Sequence, residues 1–213
     1  VLFLKHDGTI NLHTGNPEEP WQEVSGPDGF VRALSTYDGT ILAHHITDGQ
    51  PKLSRRIDGQ WRKVDLPKSL TPKSLTTYND DSTLVLGGSG IVYRLESLKP
   101  YINRLWSEVS RMSIGDHGSI QDARTAAVKL ANVAGGRVGD IAADVAEYLK
   151  KALIINQDWF STLNFGLAFS TFSDARSSML DDAEHQPAFV ALRDADKGRI
   201  THLVSGTSNT VAL

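Results

Sequence analysis

The chain contains no cysteine. That excludes disulfides, thiolate metal sites and cysteine nucleophiles, and it points toward a reducing, cytoplasmic location. Charge of one sign is also lacking: 22 basic residues face 25 acidic ones, for a formal net charge of −3. No global positive field is present to hold a polyanion, so nucleic acid is not expected as a partner. No apolar run approaches the roughly 18 to 20 residues that a membrane-spanning helix needs, and no charged-then-apolar leader is present. No spacing of the seven histidines matches a metal-ligand motif, and no phosphate loop or nucleophile elbow occurs, so no cofactor is expected. The segment that opens the sequence, Val1 to Gly8, reads as a strand running into a turn. It is expected of a trimmed or processed chain.

What the sequence does contain is a repeat. Three of its four tryptophans stand in the pattern Trp-x-x-Val: Trp21 to Val24, Trp61 to Val64 and Trp106 to Val109. They recur at intervals of about 40 to 45 residues, the period of a unit made of several short strands. Between copies lies an apolar anchor (Leu34, Leu75, Met112), then a polar turn (Asp38-Gly39, Asn79 to Asp81, Asp116 to Gly118), then a hydroxyl residue and an aliphatic one. Asp-Gly supplies the positive φ of tight hairpins, so residues 30–64 divide into four strands at Asp38-Gly39, Asp48-Gly49 and Asp58-Gly59. Four antiparallel strands with apolar residues on both faces describe a β-propeller blade sandwiched between neighbours.

The run Ile57 to Val64, IDGQWRKV, preceded by a hairpin, resembles the repeats of tectonin-type and fucose-lectin-type β-propellers over the first 120 or so residues. That resemblance implies a propeller fold and recognition of sugars or cell-surface glycans. In the fucose-lectin family an arginine and a glutamate are shared between blades; the positions aligned with them here are Leu42 and Ser54, so only the tryptophans carry over.

Past Ile120 the periodicity becomes helical. Ser119 is the expected N-cap of a helix ending at Gly135-Gly136, and residues 140–154 form a second, with Ile141, Val145, Tyr148, Leu149 and Ala152 on one stripe. Asp140, Asp144 and Glu147 on that helix read as a solvated charged face, with Glu147 reaching Lys151. Alternation at 163–169 predicts a strand, a helical patch follows near 173–183, and AFVALRD with RITHLVSG predicts a final hairpin. The fold class expected is therefore mixed. Two to three incomplete propeller-like units occupy residues 1–118, and an α+β region with a helical hairpin occupies 119–213.

The candidate ligand-binding residues are Trp21, Trp61, Trp106, His44 and Arg62. Each tryptophan has two readings, a ring that seals one unit against the next with its N–H on a carbonyl, or a ring that stacks on a ligand. His44 and His45 are adjacent in a strand and face opposite ways, one expected packed and the other in solvent. The function expected is non-catalytic recognition of a glycan or a protein through loops at one end. The alternative is a structural subunit, homo- or hetero-oligomeric, whose incomplete propeller is completed by another chain or a missing part of the polypeptide. A hydrolase or lyase site built from dispersed residues such as His13, Asp38, His44 and Asp80 stands as a third reading.

Overall fold

The computed structural model describes residues 2–78, 82–113, 116–154, 174–192, 203–205 and 210–212. It divides into two compact units, Val1–Glu96 with Val190–Leu213, and Ser97–Phe189. The division read from the sequence at 118/119 thus differs from the compact units, because the second unit is inserted into the chain of the first.

The first unit is built of antiparallel sheets. Strands β1 (Leu2–Leu4), β2 (Ile10–His13) and β3 (Trp21–Val24) make a three-stranded sheet in that order. Strands β4 (Phe30–Tyr37), β5 (Thr40–Thr47), β6 (Gln50–Ile57) and β7 (Gln60–Val64) make a four-stranded meander. Its three hairpins are the Asp-Gly pairs: Asp38, Asp48 and Asp58 have φ of 49°, 52° and 50°, each followed by a glycine with positive φ. Two consecutive left-handed residues match the twist of the flanking strands, which is why aspartate and glycine occupy these positions.

A second four-stranded sheet contains β8 (Pro72–Tyr78), β9 (Ser82–Gly87), β10 (Val92–Ser97) and, beside β10, β11 (Pro187–Ala191). The two first strands of these meanders share an irregularity: β4 shifts register against β5 between Val31 and Ala33, and β8 shifts against β9 between Pro72 and Ser74. The pair β12 (Leu203–Ser205) and β13 (Thr210–Ala212) forms a separate two-stranded sheet. The expected hairpin between AFVALRD and RITHLVSG is therefore not formed; the first segment joins β10 and the second pairs with β13. The turn assigned to 195–198, the strand at 163–169 and the polar turn at 79–81 lie outside the described residues.

The core between the first two sheets is Ile10, Val24, Val31 and Ala43, with Leu2, Leu4, Leu12, Leu34 and Trp61 packed around it. Alternation puts every second residue of β4 to β7 on this side. The other side, with Ser35, Leu42, His44 and Leu53, is buried as well. Ser35 Oγ lies 2.9 Å from Thr77 Oγ1 and 3.0 Å from Thr83 Oγ1, and Thr83 donates to the Thr36 carbonyl. This hydroxyl network ties the first meander to the second.

The second unit is helical. Helix α1 (Lys99–Arg111) begins with Pro100 in its first turn and buries Ile102, Leu105, Trp106 and Val109. The third Trp-x-x-Val is therefore helical and not a strand: a spacing of three puts both residues on one helix face beside Ile102 and Leu105. Helix α2 (His117–Val133) starts three residues earlier than expected, with Asp116 as N-cap accepting from the Gly118 N–H at 3.0 Å. Ser119 instead accepts from the Ser113 N–H.

Helix α3 (Gly136–Ile154) packs on α2 through small residues, Ala142 and Ala146 against a partner that buries Ala123, Ala126 and Ala127. The buried stripe runs through Val138, Ala142, Val145 and Leu149, so Ile141 and Tyr148 sit at its margin, half-buried. A Cβ on Gly139 would lie 2.5 Å from the Ala134 carbonyl oxygen, so the tight entry to α3 requires glycine. Glu147 pairs with Lys150 at 3.3 Å, not with Lys151 as expected. Residues 174–183 form a fourth helix, α4. No helix is long and apolar enough to cross a membrane among the described residues.

Candidate functional site

Registers place β1-β2-β3 in correspondence with β5-β6-β7. Val24 pairs with Ile10 as Val64 pairs with Leu53, and Trp21 pairs with His13 as Trp61 pairs with Arg56. The two tryptophans occupy equivalent positions, yet their surroundings differ. Trp61 lies against the shared core, and its Nε1–H donates to the Ser25 carbonyl at 2.6 Å. This is the sealing role: the indole of one sheet closes on the end of the strand before it.

Trp21 has no such cover among the described residues and remains 48% exposed. Phe3, on β1, is 56% exposed, and its ring centroid lies 6.4 Å from that of Trp21. The His13 ring stands edge-on to Trp21, with centroids 5.0 Å apart and planes at 85°. The loop that follows fixes this imidazole: Gly15 N–H donates to His13 Nδ1 at 3.3 Å, and Thr14 bonds back to the Glu19 and Pro20 carbonyls.

Cross-strand pairing brings two polar side chains to the same face. Asn11 pairs with Phe3 on one side and with Glu23 on the other, so Phe3, Asn11, His13, Trp21 and Glu23 all project from one surface of the three-stranded sheet. The Asn11 Nδ2 is buried and meets no hydrogen-bond partner. Glu23 holds only a loose ion pair, 3.8 Å to Lys5. An exposed aromatic floor with a carboxylate beside it is a surface that can stack on a flat apolar face and accept from hydroxyls at its rim.

The five residues picked from the sequence are not gathered into one site. Trp21 is on the exposed face just described. Trp61 is a packing residue. Trp106 is 5% exposed and belongs to the helical unit. Arg62 is exposed on β7, paired across the strands with Arg55. His44 and His45 are both buried, at 3% and 4% exposure, because the meander is covered on both faces; the expected solvent-facing histidine does not exist. His45 Nε2 lies 2.9 Å from Ser54 Oγ and Nδ1 lies 3.0 Å from Thr47 Oγ1. Neither nitrogen of His44 has such a partner. Burial first, then the neighbouring His45 and Arg32, pull its pKa down to about 4, with the Pro72 carbonyl opposing.

Phe3, Asn11 and Glu23 were missed as members of a site, and His13 was named only in the dispersed catalytic set, since only register reveals that they join Trp21. Asp38, from the dispersed catalytic set, instead pairs with the buried Arg55 at 3.1 Å, while Arg55 Nε donates to Thr40 Oγ1 at 2.6 Å and its guanidinium covers the Tyr37 ring at 4.9 Å. Asp80 lies outside the described residues. Among the described residues no three histidine, aspartate or glutamate side chains gather to hold a metal. Comparison with protein-family models, with curated proteins and with solved structures finds no match.

Proposed function

We propose that the protein is a non-catalytic recognition module of propeller-like repeats that binds a glycan on the outer face of its first sheet. The observation that carries this reading is the exposed pair Phe3 and Trp21, buttressed by His13 and flanked by the unpartnered Asn11 amide. A pyranose offers an apolar C–H face to the negative π face of an indole, and its hydroxyls accept from an amide and donate to a carboxylate. Glu23 supplies the carboxylate, and the Asn11 amide, buried beneath the rim, becomes available to a hydroxyl only when its side chain turns outward. A glycan array probed with the full chain tests the reading. Binding to a restricted set of glycans, lost in Trp21→Ala, is the expected result, and a silent array contradicts it.

A second reading is favoured by the equivalence of Trp21 and Trp61. Since Trp61 is covered by the preceding sheet, Trp21 and its neighbours also suit a surface on which another chain completes the repeat. In this assembly reading the protein is a subunit, and its mass by light scattering exceeds that of one chain.

A further inference from the structure

The face that carries Trp21 has a sign as well as a shape. Residues 2–24, which make up β1, β2, β3 and their connections, hold one lysine against one aspartate and three glutamates. Asp7 is engaged in the turn between β1 and β2, where it accepts from the Thr9 N–H at 2.9 Å. The glutamates lie on either side of Trp21 along the chain. Glu23 follows it by two residues on β3 and so projects from the same surface, its side chain 69% exposed. Glu18 and Glu19 are exposed in the loop that leads into Trp21. The backbone of that loop is held by Thr14 Oγ1, which donates to the Glu19 carbonyl at 2.6 Å, and by Asn16 Oδ1, which accepts from the Glu18 N–H at 3.0 Å. Lys5, one residue beyond β1, is the one lysine of the segment, and it approaches Glu23 no closer than 3.8 Å. An exposed pair at that distance holds neither partner firmly.

We propose that the ligand of this face is a glycan with free amino groups, a glucosamine-type chain whose ammonium lies over the Phe3 and Trp21 rings and against Glu23. The inference rests on the glycan reading of the same site and names the class of sugar. Charge complementarity carries it. The negative π face of an aromatic ring attracts a cation within about 6 Å of its centroid. The Phe3 and Trp21 centroids are 6.4 Å apart with planes at 63°, so one ammonium can lie within that reach of both. An ammonium donates three hydrogen bonds and accepts none, which suits the carboxylate beside the rings.

Selectivity follows from the same charges. An N-acetyl group keeps the sugar ring for stacking but removes the cation. A sulfate, a sialic acid or a uronate meets like charge at Glu23 and at the acidic loop, which works against binding. Lys5 sets a limit on the preference, because it competes with the sugar ammonium for Glu23.

The test titrates the full chain by calorimetry with two probes of equal length, a β-1,4-linked glucosamine oligomer and its fully N-acetylated counterpart. Low salt and mildly acidic buffer keep the amines protonated, and an N-trimethylated oligomer, whose charge does not depend on pH, repeats the comparison at neutral pH. The cationic oligomers are expected to bind about tenfold tighter than the acetylated one, a ratio that shrinks as salt is added. Glu23→Gln brings the ratio toward one, Lys5→Gln raises it, and Trp21→Ala abolishes binding of all the probes. Equal affinities, tighter binding of the acetylated oligomer, or a ratio unmoved by Glu23→Gln overturns the inference and leaves the glycan reading standing. Silence with every oligomer overturns the inference too, and the glycan array then separates the two ideas: binding there to uncharged glycans upholds the broader reading, and a silent array removes both.

Discussion

His44 makes the fold sensitive to mild acid, and the size of the effect follows from its surroundings. The ring is 3% exposed, and burial outweighs the opposing Pro72 carbonyl, so in the folded protein it stays neutral down to about pH 4, against an ordinary value of 6.5. Between those values the unfolded chain holds a proton that the folded chain does not. Stability therefore falls as pH drops through that window and is regained as pH rises. Lowering the pH from 7.5 to 5 costs about 2 kcal/mol through this residue, from linkage with one depressed pKa. His45, also lowered by burial, acts in the same direction.

Urea denaturation at the two pH values, on the parent chain and on His44→Phe, reads the contribution of His44 together with its coupling to His45, since groups that do not interact with His44 cancel in the difference. The variant is expected to lose about 2 kcal/mol less than the parent on acidification. An equal loss in both proteins refutes the reasoning, because His44 would then be protonated in the folded state or already neutral in the unfolded one.

Three further substitutions probe the packing. Gly29 has a φ of +97°, and a Cβ there would sit 2.2 Å from the Ile46 carbonyl oxygen, so Gly29→Ala should destabilise by roughly 2 to 3 kcal/mol in thermal unfolding. Ser35→Ala removes one hydrogen bond each from Thr77 and Thr83 in a buried network and should cost about 1 to 2 kcal/mol in urea, whereas a value near zero would show that the network carries no stability. Trp61→Phe keeps most of the apolar contact with the Val24 and Val31 core but strands the Ser25 carbonyl; a loss of about 1 kcal/mol by denaturation is expected, and none for Trp21→Phe.

The parts of this fold that were legible in the sequence are those set by neighbours in the chain. The Asp-Gly turns at 38, 48 and 58 announce themselves because few other dipeptides tolerate two positive φ values in succession. Trp106 misled because Trp-x-x-Val suits a helix face as well as a repeat of strands. What decides between them is Leu98 to Ile102, where a proline in the first helical turn and the spacing of Ile102, Leu105 and Val109 start a helix twenty residues before Ser119. The insertion of residues 97–189 between β10 and the end of β11 depends on a strand pairing across some ninety positions, which no local pattern encodes. The candidate site shares that property. Trp21 could be singled out alone, but Phe3, Asn11 and His13 reach it only through cross-strand register.

The central claim, recognition through the Trp21 face, is tested most directly by the indole N–H resonances of the protein's four tryptophans during titration with glycans. The account predicts that the Trp21 signal shifts saturably while that of Trp61, held on the Ser25 carbonyl, stays in place. No movement of Trp21 with any glycan, or movement confined to Trp61 or Trp106, would contradict it.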